Sequence, residues 1–101
     1  MFRRRRFSDV ISRQLDLFER EHADVIEECD ELERAYNTAP RDEAEERYGD
    51  YVDAVETGTA ILADMRDHYS ATLARPDEYV SMFNRGVAKR LREFSVEIEH
   101  S

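Results

Sequence analysis

Cysteine, lysine, proline and glycine are scarce in this 101-residue chain, which contains one, one, two and three of them respectively. The single Cys29 excludes an internal disulfide, and a reducing, cytoplasmic setting is the simplest expectation. So few prolines and glycines leave few turn signals, which disfavours a sheet protein. No apolar run approaches the roughly 18 residues of a membrane span, so we expect no membrane partner.

Charged residues, in contrast, are abundant and unevenly distributed. There are 24 acidic residues against 15 basic ones, and the net charge is −9. Residues 1–6 carry +4, residues 7–78 carry −14 and residues 79–101 carry +1. We interpret residues 1–7 as a basic, disordered tail and residues 8–101 as a single helical domain. The acidic middle of the chain argues against nucleic-acid binding and favours a basic protein partner.

Two segments place apolar residues at alternating spacings of four and three, the heptad pattern of a coiled coil. The pattern predicts helices over about 8–37 and 40–74, joined by a tight turn at Pro40. The seam of the first helix comprises Ile11, Leu15, Phe18, His22, Val25, Cys29, Leu32 and Tyr36. The seam of the second comprises Ala44, Tyr48, Tyr51, Val55, Gly58, Leu62, Met65, Tyr69 and Thr72. The sequence therefore predicts an all-α fold built on a long antiparallel coiled-coil hairpin.

A short turn also sets the register of such a hairpin. Residues that face each other should have numbers that sum to about 80, which places Cys29 against Tyr51. His22, the bulky polar residue of the first seam, then faces Gly58, which has no side chain. This match of a large residue to a small one supports the register.

A third helix is predicted over about 77–98, after Pro76. Because such a helix spans about 30 Å, it covers only half of the hairpin, and we expect oligomerisation to a dimer or larger to complete the fold. Tyrosines near the turn are typical of a surface that meets a partner. The predicted partner or oligomer interface combines these tyrosines with the apolar face of the third helix: Tyr36, Tyr48, Tyr51, Phe83, Val87, Leu91 and Phe94.

Glu19 and His22 form a Glu-x-x-His spacing, in which both side chains lie on the same helix face. The spacing and the short helical hairpin resemble encapsulated ferritins. The resemblance implies an iron site that Glu19 and His22 would complete across a subunit interface, as in carboxylate-bridged di-iron bundles. The facing helix offers few ligands, since Gly58 and Leu62 lie opposite. The alternative is that His22 is a polar seam residue that fixes register and oligomeric state.

The sequence contains no nucleophile–base pair, no glycine-rich phosphate loop and no Cys/His metal spacing, so we expect neither an enzyme nor a bound cofactor. The favoured function is a non-enzymatic helical oligomerisation or adaptor protein that presents an acidic coiled-coil surface to a partner. The first alternative is a ferritin-like, iron-binding hairpin that uses Glu19 and His22. The second is an acidic protein that mimics nucleic acid or neutralises a basic partner.

Overall fold

The structure is a computed structural model that describes the backbone of residues 2–101 and the side chains of residues 7–101. The predicted all-α fold is confirmed, and the described part of the chain contains no strand. None of its helices combines the length and the apolar character needed to cross a membrane. The helices are α1 (Phe2–Glu21), α2 (Ala23–Asn37), α3 (Ala44–Ser70), α4 (Asp77–Arg90) and α5 (Ser95–Glu99), with a 3-10 turn (Arg92–Phe94) before α5.

The chain is elongated, with dimensions of 52 × 23 × 21 Å, and divides into two parts. We call residues 23–57, comprising α2 and the first half of α3, the arm. We call the remaining helical part the body; in it α1 packs mainly on α4, and α4 and α5 pack on the second half of α3. In the arm, the buried residues Cys29, Ala54 and Val55 lie at the body end, and no residue within 30–53 is buried. The arm is therefore a two-helix projection from a more fully packed body.

The first predicted helix is interrupted at His22, where α1 ends and α2 begins. His22 has backbone angles of φ −123° and ψ 33°, outside the helical range. The amides of Val25 and Ile26 both donate to the His22 carbonyl, at 3.0 and 3.3 Å. Such an interruption uncouples the directions of two helices. As a result α2 pairs closely with α3, whereas α1 packs mainly on α4.

Phe94 fills the space that the predicted register assigned to His22. A Cβ atom built on Gly58 would lie 2.6 Å from Cζ of Phe94, with Cε1 nearer still. The Phe94 ring is fully buried and meets the ring of Phe18 edge-on at 5.8 Å. His22 instead lies beside Phe18, with 5.4 Å between ring centroids. Gly58 is thus required for close packing, but the side chain that packs against it is Phe94 of the 3-10 turn and not His22.

The body core extends further toward the N-terminus than predicted. Phe7, which the sequence places in a tail, is buried, and its ring lies 5.9 Å from that of Tyr79. The backbone of α1 begins at Phe2, while the side chains of residues 3–6 lie outside the described part. Tyr79 has no exposed surface, and its hydroxyl donates to Oε1 of Gln14 at 2.8 Å. This bond satisfies the one polar atom of a large buried ring.

Burial of two weak acids predicts a loss of stability in alkali. Burial raises the pKa of Tyr79 from 10.0 to about 12, and raises that of Cys29 from 9.0 to about 11. The unfolded chain therefore releases both protons at a lower pH than the folded chain, so the free energy of unfolding falls as pH rises above about 9. We expect the urea midpoint to drop between about pH 9 and 11. A smaller drop in the Tyr79→Phe variant would confirm that ionisation of the buried tyrosine contributes to the loss of stability. A wild-type midpoint that stays level to pH 11 would contradict the prediction.

Candidate partner-binding surface of the arm

A groove of about 310 Å³ lies between the two helices of the arm. Its apolar floor consists of Leu32 from α2 and Ala54 from α3, and carboxylates surround this floor. The helical repeat explains the arrangement, because residues four apart on α2 and residues three to four apart on α3 share a face. The polar residues that line the groove are Glu28, Asp50, Asp53 and Thr57.

The charge of the arm is strongly negative. Residues 23–57 contain 13 acidic residues and three arginines, which gives −10, while the rest of the chain sums to +1. Arg47 on α3 pairs with Glu43 at 3.4 Å and, at 3.9 Å, with Asp50, which lines the groove. Both pairs are exposed, so they neutralise little of the field. The arm therefore carries more than the whole net negative charge of the chain.

The predicted interface tyrosines lie along the same part of the chain. Tyr36 and Tyr48 are 37% and 50% exposed, and their ring centroids are 5.2 Å apart. They form what we call the arm tip, together with two exposed acids: Asp42, in the turn between the two helices, and Glu45, one helical turn before Tyr48. Tyr51 lies deeper, where burial, followed by the charge of Glu33, raises its pKa. The tip is thus an exposed aromatic pair flanked by carboxylates.

The other predicted interface residues lie inside the body. These four side chains are at most 3% exposed, and they pack in the core between α1, α3 and α4. The chain covers the apolar face of its own third helical segment, since that segment bends at Leu91 and folds back as α5. The four residues therefore offer no surface to a partner in this fold. They are Phe83, Val87, Leu91 and Phe94.

Glu19 and His22, the predicted metal ligands, each contact a different side chain. Oε1 of Glu19 accepts a hydrogen bond from Nη2 of Arg90 at 2.6 Å, so a cationic side chain already holds this carboxylate. The His22 ring packs on Phe18 instead. Among the described residues, no group of three or more His, Cys, Asp or Glu side chains is placed to hold a metal ion. No protein-family model, curated protein or solved structure matches the chain.

Two arginines that sequence reasoning missed join the parts of the body. Arg66 on α3 is 4% exposed, and Nη1 donates to the carbonyl of Ile98 at 3.0 Å while Nη2 donates to the main-chain oxygen of Ser101 at 2.9 Å. Its other nitrogen–oxygen contacts are to Asp67 at 2.9 Å and Asn84 at 3.1 Å. Arg66 therefore anchors α5, whose last carbonyls lack helical partners.

Arg90 performs the same task between α4 and α1. Its Nη2 donates to Asp16 at 2.7 Å as well as to Glu19, and Nη1 reaches the carbonyl of Ser12 at 3.3 Å. The hydrogen bond to Asp16 is the main cause that raises the pKa of Arg90. The only signal in the sequence is that Asp16 and Glu19 are three apart and share a helix face. That spacing cannot identify which of 14 arginines will meet them.

Proposed function

We propose that the protein is a non-enzymatic helical adaptor whose arm binds a basic, amphipathic segment of a partner protein. The groove of the arm carries this proposal, because it combines an apolar floor of Leu32 and Ala54 with three surrounding carboxylates. Apolar side chains of a helical segment would bury against the floor, while its lysines or arginines face Glu28, Asp50 and Asp53. The arm would thus recognise shape and charge together.

Each part of the groove has a separate physical role in such binding. Burial of apolar surface on the partly exposed Leu32 supplies affinity, at about 25 cal/mol per Å² removed from water. The exposed carboxylates contribute less energy, but they steer a basic segment to the arm and reject acidic ones. Because the groove is small and open, we expect an affinity of about micromolar Kd.

Pairing of two arms along their grooves is a poorer explanation of this surface. Each arm carries −10, and side-by-side contact would bring like charges within the screening length of about 10 Å. A basic partner would neutralise the negative charge of the arm, whereas a second arm would add to it. The charge therefore favours a different surface, with opposite charge, as the occupant of the groove.

The test uses a synthetic 20-residue amphipathic peptide with leucines on one face and lysines on the other. We expect wild-type protein to bind this peptide, and a variant with Asp50→Lys and Asp53→Lys to bind it about tenfold or more weakly, because like charges then face each other. Titration calorimetry at fixed ionic strength gives both affinities.

The matched control reverses two exposed carboxylates of the body, Asp9→Lys and Asp64→Lys. It changes the net charge by the same amount without touching the groove, so peptide affinity should stay near the wild-type value. An equal loss in both variants would show attraction to net charge alone and would contradict a specific groove. Absence of binding by the wild-type protein would also reject the proposal.

A further inference from the structure

The body carries a second groove, of opposite charge, between α1 and α4. It has a volume of about 300 Å³, at the lower limit of small-ligand pockets, so it suits a pair of side chains better than a cofactor. No acidic residue lines it. The lining residues are Ser8, Ile11, Ser12, Leu15, Met82, Arg85, Gly86, Lys89 and Arg90.

Gly86 explains why the groove has an apolar floor. A Cβ atom at this position would lie 3.1 Å from Cγ2 of Ile11 and 3.2 Å from Cδ1 of Leu15. The bare glycine therefore lets α4 approach α1 closely over these two buried side chains, and Met82 is the partly exposed apolar residue at the base of the groove. Ser8 and Ser12 add hydroxyl groups on the α1 side.

The free positive charge at this groove belongs to Arg85 and Lys89. Both side chains are exposed, and neither forms an ion pair with any other described residue. Arg90 contributes little charge, because Asp16 and Glu19 already accept its hydrogen bonds. An acidic group with an apolar or aromatic neighbour would fit a groove that has apolar residues at its base and two cations, Arg85 and Lys89, at its rim.

We propose that this basic groove receives the arm tip of a second copy of the chain. The exposed rings of Tyr36 and Tyr48 match the apolar floor, and an aromatic face also attracts an arginine such as Arg85. Asp42 and Glu45 are exposed at the tip and supply the carboxylates that the basic rim lacks. The arm tip is thus complementary to the groove in both polarity and charge.

Two such contacts form at once when two copies lie antiparallel, with each tip against the body of the other. This arrangement has twofold symmetry and closes as a dimer. It keeps the two arms, at −10 each, away from each other and places each tip at a basic groove. The contact goes beyond the proposed function, because it uses the arm tip and leaves the carboxylates of the arm groove untouched.

Reciprocal charge reversal tests the contact. Sedimentation velocity at micromolar concentrations should show that the wild-type chain is a dimer. A groove variant (Arg85→Glu and Lys89→Glu) and a tip variant (Asp42→Lys and Glu45→Lys) should each be monomeric, with dimer affinity reduced about tenfold or more.

An equimolar mixture of the groove and tip variants should recover a dimer. Both contacts in the mixed pair then join opposite charges, whereas each variant alone has only like charges at them. All four positions are exposed, and circular dichroism would verify that each variant is folded. A control with Arg13→Glu and Arg75→Glu, two exposed arginines away from the groove, should dimerise like the wild type.

Three results would overturn the contact. They are a wild-type chain that stays monomeric across the concentration range, a dimer that survives in either variant, and a mixture that remains monomeric. The peptide experiment on the arm groove is independent, since Asp50 and Asp53 take no part in the contact. Failure of one proposal is therefore distinguishable from failure of the other.

Discussion

Replacing Gly58 with alanine is expected to lower the free energy of unfolding by about 2 kcal/mol. The added methyl group would overlap the fully buried Phe94 ring, and overpacking of this kind costs about 3 kcal/mol. Alanine gains only about 1 kcal/mol over glycine through helix propensity, so the steric cost prevails. For a domain of this size the difference corresponds to a Tm lower by about 10 °C, which calorimetry would measure.

Gly49 provides a matched control on the same helix. It is exposed, and nothing lies within 4 Å of a Cβ atom built on it, so Gly49→Ala should raise the Tm by about 5 °C. Combining Gly58→Ala with Phe94→Leu should cost less than the sum of the two single changes, since the smaller side chain relieves the overlap. Equal Tm changes for Gly49→Ala and Gly58→Ala would show that Phe94 does not pack on α3 as described.

Loss of the buried arginine on α3 is the second change with a large expected effect. Arg66→Met keeps a long apolar side chain but removes the charged donors to the main-chain oxygens of Ile98 and Ser101. We expect the free energy of unfolding to fall by about 3 kcal/mol, because hydrogen bonds to a charged group contribute about 1.5–3 kcal/mol each and only part of the loss is recovered by relaxation. Urea denaturation measures this change.

Amide hydrogen exchange would show where the stability is lost. In Arg66→Met, protection should decrease first in α5, which this side chain holds against α3. Arg66→Lys should also be destabilised, because a single ammonium group cannot reach Asn84, Ile98 and Ser101 together. Arg13→Met, at an exposed position of α1, serves as control, and a urea midpoint for Arg66→Met equal to that of the control would contradict the anchoring role.

The hairpin was predictable because the apolar residues that pair its two helices recur periodically in the sequence. Residues three and four apart along α2 and α3 must share a face, so the heptad pattern predicts two paired helices without any knowledge of the rest of the chain. The interruption at His22 has no such signal, since the pattern continues unbroken from Phe18 to Val25. Phe18, one turn before the interruption, packs on Phe94, which lies more than 70 residues further along the chain.

The candidate surfaces were predictable to different degrees. The exposed tyrosine pair of the arm tip follows from the position of Tyr36 and Tyr48 beside the turn. The basic groove does not, because it requires α4 to lie on α1, and that contact depends on Gly86, which sequence reasoning treats only as a weak helix former. Arg66 gave no signal either, since its burial arises from α5 folding back onto α3.

Because the helix is interrupted at His22, the arm can change in length without a change in the packing of the body. Seven residues inserted into α2 and seven into the facing part of α3 would preserve every pairing along the arm and lengthen it by about 10 Å. The packing around Phe94 and Arg66 would be unaffected, because α1 does not continue as one rigid rod into α2. The arm can therefore act as a spacer whose length and surface charge change in evolution without redesign of the core that supports it.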